Sequence, residues 1–123
     1  MNNYEIVDKT FHFSLKVMEL YVFLLKHGEF ELAEKILKSS MGIRENLEEA
    51  FASITIQDNI SNLSEALKNA TQVRYWLKLI QMKNMVHTCC EETVEGINEI
   101  INILNYLSIE NNEYKLNLQF QLN

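Results

Sequence analysis

The sequence predicts an all-α protein, an antiparallel up-down four-helix bundle with a short C-terminal extended tail. Three observations lead there. Proline is absent and glycine occurs only at positions 28, 42 and 96, so the usual punctuation of turn-rich β domains is missing. Four segments repeat apolar residues at alternating three- and four-residue intervals, the spacing of one helix face. The connections between them are short, which makes consecutive helices antiparallel neighbours. At 123 residues the chain supports one real core, with a bundle over residues 1–109 and a tail over 110–123.

The first helix is expected from about Ile6 to His27. Val7, Thr10, Phe11, Ser14, Val17, Met18, Tyr21, Leu24 and Leu25 form its buried stripe. Ile6, Phe13, Leu20 and Phe23 add a second apolar strip beside it, more than the roughly three positions in seven that a monomeric bundle needs. Such a surplus signals a partner. Gly28 supplies the stop, because glycine takes the left-handed conformation freely.

The second helix, about Glu29 to Ser53, buries Leu32, Ala33, Ile36, Leu37, Ile43, Leu47, Ala50, Phe51 and Ile54. One face carries Ser39, Ile43, Asn46, Ala50 and Ser53, smaller and more polar than a bundle core normally is. Gly42 lies inside this helix at a cost of about 1 kcal/mol relative to alanine, which close approach of a neighbouring helix explains. Thr55 and Asp58 have capping spacing ahead of the third helix.

The third helix, about Ile56 to Lys83, has a seam of Ile60, Leu63, Leu67, Ala70 and Leu77, with Ala66, Val73 and Ile80 alongside. Arg74 occupies a slot of that seam. A buried arginine there needs a carboxylate, with Glu49 the candidate, because an unpaired charge in a core is very costly. The alternative is an arginine that snorkels to the bundle edge. Tyr75 and Trp76 carry an OH and an NH that need acceptors when buried. With Ser39, Asn46, Glu49 and Arg74 they are expected to form one polar network, or else to line a small-ligand pocket.

After a turn at Asn84 to His87, the fourth helix is expected from Thr88 to Leu107, with Thr88 and Glu91 as a capping box. Val94, Ile97, Ile100, Ile101, Leu104 and Leu107 face inward. Beyond Glu110, Tyr114, Leu116, Leu118, Phe120 and Leu122 alternate with polar residues, a strand period in a chain with no second strand. The tail is therefore expected either to fray or to pair with another chain.

The formal charge is −6, which argues against a general phosphate-binding surface. Residues 55–83 set four cations against two acids, whereas 84–113 hold six glutamates and no Lys or Arg. These are either two solvated faces or the complementary halves of an intersubunit contact. Cys89 and Cys90 are adjacent and read as reduced thiols. No catalytic constellation is recognisable. His12, His27 and His87 lack the glutamate three positions earlier that di-iron bundles use, and His87 with Cys89 is too few ligands for zinc. The glycines stand too far apart for a phosphate loop. A non-enzymatic protein without metal or cofactor is expected. With no apolar run near 20 residues and no signal-peptide core in MNNYEIVDK, it is expected in the cytoplasm and not in a membrane.

Two blocks carry a resemblance. Ile36-Leu37-Lys38-Ser39, Ile43, Asn46-Leu47 and Glu49-Ala50 form the first; Asp58, Leu63, Ala66-Leu67-Lys68 and Tyr75-Trp76-Leu77-Lys78-Leu79 form the second. Together they resemble the signatures of small bacterial four-helix-bundle proteins encoded within intervening sequences of 23S rRNA genes. The accessory proteins of diversity-generating retroelements are similar to that family too. The resemblance spans about residues 6–107. It implies a left-handed bundle that assembles as a ring, often a homopentamer; the family name refers to gene location and implies no ribosomal role. The retroelement relatives imply a basic ring that binds nucleic acid and a reverse transcriptase. This chain departs from them in its acidity, and Lys68, Arg74, Lys78 and Lys83 are its candidates for nucleic-acid contact. It also departs at Met41, Arg44, Glu45 and Glu48, where the family commonly has small residues. The function expected first is an oligomeric scaffold or adaptor, with nucleic-acid binding beside a reverse transcriptase as the alternative.

Overall fold

A computed structural model of the chain describes residues 3–83 and 89–122. The turn expected at Asn84–His87, the Thr88–Glu91 capping box, the His87–Cys89 pair and the thiols of Cys89 and Cys90 lie outside the described residues. Four helices follow one another: α1 (Asn3–Lys26), α2 (Phe30–Ala52), α3 (Ile56–Met82) and α4 (Cys89–Leu122). Among the described residues α1 packs on α2, α2 on α3, α3 on α4 and α4 back on α1, and the backbones of the diagonal pairs stand farther apart. This is a four-helix bundle with sequential neighbours.

The helix ends follow the local chemistry. Gly28 stands at φ 76°. The Glu29 amide donates to the Leu24 carbonyl at 2.9 Å and the Gly28 amide to Leu25 at 3.1 Å, the paired bonds that close a helix through a left-handed residue. At the start of α3 the Asp58 amide donates to the Thr55 hydroxyl at 3.1 Å, satisfying one of the free first-turn donors.

The core sits one step around from the expected stripes. On α1 the buried residues are Ile6, Thr10, Phe13, Val17, Leu20 and Leu24. Phe11 and Met18, expected inside, face solvent. Both strips have helical period, and period alone does not say which faces inward. On α3 the buried row is Leu63, Ala66, Ala70, Val73, Leu77 and Ile80, so Ile60, Leu67 and Arg74 form its flank. On α2 the expected core residue Ile54 lies beyond the last turn and is fully exposed.

The extended tail is corrected outright. Residues 110–122 continue α4 without a break, giving a helix of 34 residues, about 50 Å long. In helical geometry the alternating apolar residues separate onto two faces, Tyr114 with Leu118 and Leu116 with Phe120. Asn111 donates to the Asn59 side chain, and Lys115 donates to Gln57 Oε1 at 2.6 Å. These contacts carry α4 along the first turns of α3.

Candidate functional site

The residues expected to form one polar network are placed apart. Ser39 is buried and its hydroxyl reaches Gln72 Oε1 across the α2–α3 interface at 3.4 Å. Asn46 turns back on its own helix, donating to the Gly42 carbonyl at 2.8 Å. Glu49 is exposed. Arg74, half-buried, points to the other side of α3 and donates to Asn98 Oδ1 on α4 at 3.5 Å. The Glu49–Arg74 pair is therefore corrected. Arg74 stands on the flank of the core row, so its guanidinium reaches the bundle edge, with no ion pair to a carboxylate among the described residues.

Tyr75 and Trp76 are placed differently. Tyr75 is 56 % exposed and meets Trp76 edge to face at 4.9 Å. Trp76 lies in the α2–α3 groove with the Lys35 ammonium 5.0 Å from its ring centroid, a cation–π arrangement. That groove, about 230 Å³, is lined by Glu29, Glu31, Leu32, Lys35, Trp76, Leu79 and Lys83, and Tyr75 is not among them.

At Gly42 α2 comes close to a side chain of α3. A Cβ built there would stand 2.7 Å from Asn69 Oδ1, so glycine leaves the Asn69 amide where it donates to the Glu65 carbonyl at 3.0 Å, and a larger residue would have to move that side-chain end. The close approach expected from the sequence is present, with Asn69 as its partner.

The four candidate nucleic-acid cations are also divided. Lys83 lines the α2 side of α3, Arg74 reaches toward α4, and Lys68 and Lys78 are exposed. They make no continuous strip.

The α1–α4 seam is the loosest of the four. Gly96 lets α4 come against Phe13, which would meet a Cβ there at 3.3 Å. Around that point lies a groove of about 560 Å³, lined by Asp8, Lys9, His12, Lys16, Glu92, Glu95 and Glu99 among others. Lys9 pairs with Glu99 and Lys16 with Glu92, the latter at 2.7 Å. The hydrogen bond to Glu99 raises the pKa of Lys9, and the hydrogen bond from Lys16 lowers that of Glu92. Among the described residues no group of three or more His, Cys, Asp or Glu is placed to hold a metal ion. None of the described helices is long and apolar enough to cross a membrane.

The feature that sequence reasoning placed wrongly is the outward face of α1. Phe11, Leu15, Met18 and Val22 are each about half exposed, and their 4-3-4 spacing makes one continuous ridge. At α4's far end Tyr106, Ile109, Tyr114, Leu116 and Phe120 are more exposed still. Leu15 and Val22 lay in the sequence at helical spacing from Phe11 and Met18, which was the available signal.

Among the described residues the chain is an all-α four-helix bundle with exposed apolar residues on α1 and at the far end of α4. The chain belongs to the family of 23S rRNA-intervening sequence proteins, whose family model matches residues 2–106. Among solved structures it is similar to a protein of unknown function from the S23 ribosomal protein family of Bacteroides thetaiotaomicron VPI-5482. The two share 29 % identity over 88 % of this chain and 98 % of the other, with a TM-score of 0.83. No curated protein matches the chain.

Proposed function

We propose that this protein is a non-enzymatic, homo-oligomeric scaffold or adaptor. The observation that carries the reading is the α1 ridge. Phe11, Leu15, Met18 and Val22, each about half exposed, fall in one row on the outer side of α1, and contiguous rather than scattered exposed apolar residues are the kind that mark interaction sites. The ridge lies on α1 with a packed core behind it.

The acidic charge and the divided cations weigh against the alternative of an accessory that grips nucleic acid, because phosphate binding needs cations gathered along one track. The four-residue ridge also suits a protein surface better than a polyanion.

Light scattering tests the proposal. At about 10 µM the protein should show a mass several times its 14.5 kDa chain. The variant Leu15→Glu/Met18→Glu should fall to a single chain while keeping its helical circular dichroism. A monomeric wild type at that concentration sinks the proposal.

A further inference from the structure

Trp76 is the chain's one tryptophan, and one face of its ring already carries a cation. The Lys35 ammonium stands 5.0 Å from the ring centroid and 3.1 Å from Oε1 of Glu31, one turn earlier on α2. An aromatic face with a carboxylate beside it is a pairing that takes up alkylammonium ions, because ring and anion attract the same charge. Tyr75 packs edge to face against the ring at 4.9 Å, which holds its plane. Half-buried Leu32 and Leu79 supply the apolar part of the same groove. Lys35 is a poor permanent occupant. It is exposed, and both its contacts are worth little at a surface, where they are offset by the rotamer freedom they fix. A lysine head is also strongly hydrated and brings no apolar surface to Leu32 and Leu79.

We propose that the α2–α3 groove binds a small quaternary ammonium compound of the choline type, with Lys35 as its internal stand-in. Size and charge both favour such a ligand. The groove measures about 230 Å³, below the roughly 300–1,000 Å³ of sites for drug-sized ligands, so it suits a ligand of a few heavy atoms. Its charged lining sets Glu29 and Glu31 against Lys35 and Lys83. With the Lys35 head swung out, one net negative charge remains, which a monocation neutralises. The trimethylammonium head then replaces the lysine head over Trp76 and beside Glu31, and its methyl groups pack on Leu32 and Leu79. Its charge is spread over those methyl groups, so it sheds water at lower cost than a primary ammonium. The α1 ridge lies on another helix, so this site stands or falls independently of the oligomeric reading.

Trp76 emission reads the site directly. Titrating the full chain with choline chloride at constant ionic strength should give a saturable change with a midpoint in the millimolar range, whereas free N-acetyltryptophanamide should change only linearly. Lys35→Met keeps most of the stem, removes the competing charge, and should lower the midpoint about five- to tenfold. Adding Glu31→Gln to that variant should raise it again about threefold. Glu31 and Lys35 are exposed, so these variants should fold, which circular dichroism checks. Neohexyl alcohol, the neutral carbon isostere of choline, should give no saturable change. A linear response to choline in Lys35→Met, or an equal response to the neutral isostere, overturns the ammonium site. So does a midpoint that Lys35→Met leaves unchanged, because Lys35 is then not the occupant that choline displaces. A response to phosphatidylcholine vesicles without one to free choline overturns the small-molecule ligand in favour of a lipid head.

Discussion

At the scale of single residues, Gly42 and Asn69 form a lock in which each explains the other. Alanine at 42 should gain about 1 kcal/mol of helix propensity but push the Asn69 amide away from the Glu65 carbonyl, a bond worth about 1 kcal/mol. Gly42→Ala alone is therefore expected to change stability little. In an Asn69→Ala background, where the obstruction is gone, the same change should stabilise by about 1 kcal/mol. Urea denaturation of the four proteins in a double-mutant cycle checks the coupling. Glu49 offers the opposite case. Exposed and remote from Arg74, it should tolerate Glu49→Ala with a loss below about 0.5 kcal/mol in the same assay, and a loss of several kcal/mol would restore the buried pair. The Gly42 contact was legible in the sequence because an interior glycine has few explanations. The partner of Arg74 was not, because a one-step rotation of α3 decides whether it points to α2 or to α4.

At the scale of elements, α4 is where sequence reasoning went furthest astray. Five apolar residues at alternate positions satisfy a strand pattern, yet Glu, Lys, Leu and Gln are also good helix formers. With no second strand to pair against, continuing an existing helix adds one backbone bond per residue. The hydrogen bonds to Gln57 and Asn59 depend on which α3 residues lie alongside, and a linear pattern does not contain that. The α1–α4 seam carries a pH dependence whose sign follows from its two shifted groups. Glu92 is held below its ordinary 4.5. What Lys16 contributes through it is thus full above that value and lost as pH falls below it. Lys9 is held above 10.5, so its contribution is full below that value and lost as pH rises past it. The melting-temperature gap between wild type and Lys16→Met should persist from pH 7 to 5 and close in more acid solution. Because both pairs are exposed, the gap should be small and shrink with added salt. A gap that widens in acid would show that Lys16 acts through something other than Glu92.

At the scale of the whole molecule, the four-helix order, the Gly28 stop and the Thr55 cap were readable from local signals. The orientation of α1 was not. Its two apolar strips are nearly equal in length and spacing, and choosing between them requires knowing what lies behind each. The surplus itself was the useful clue, since a chain that buries one strip must do something with the other. That excess is what the oligomeric proposal uses. The α1–α4 seam has one more consequence. Lys9 and Glu99 are 90 positions apart in the chain, whereas the other three interfaces join consecutive helices. Holding such distant segments together without the intervening helices in place would cost several kcal/mol of chain entropy, about (3/2)RT ln n for n residues. Exposed ion pairs supply far less than that. On the ion pairs alone the seam is expected to close after α2 and α3 have docked, so a fluorophore or spin label beside Lys9 should report late in folding.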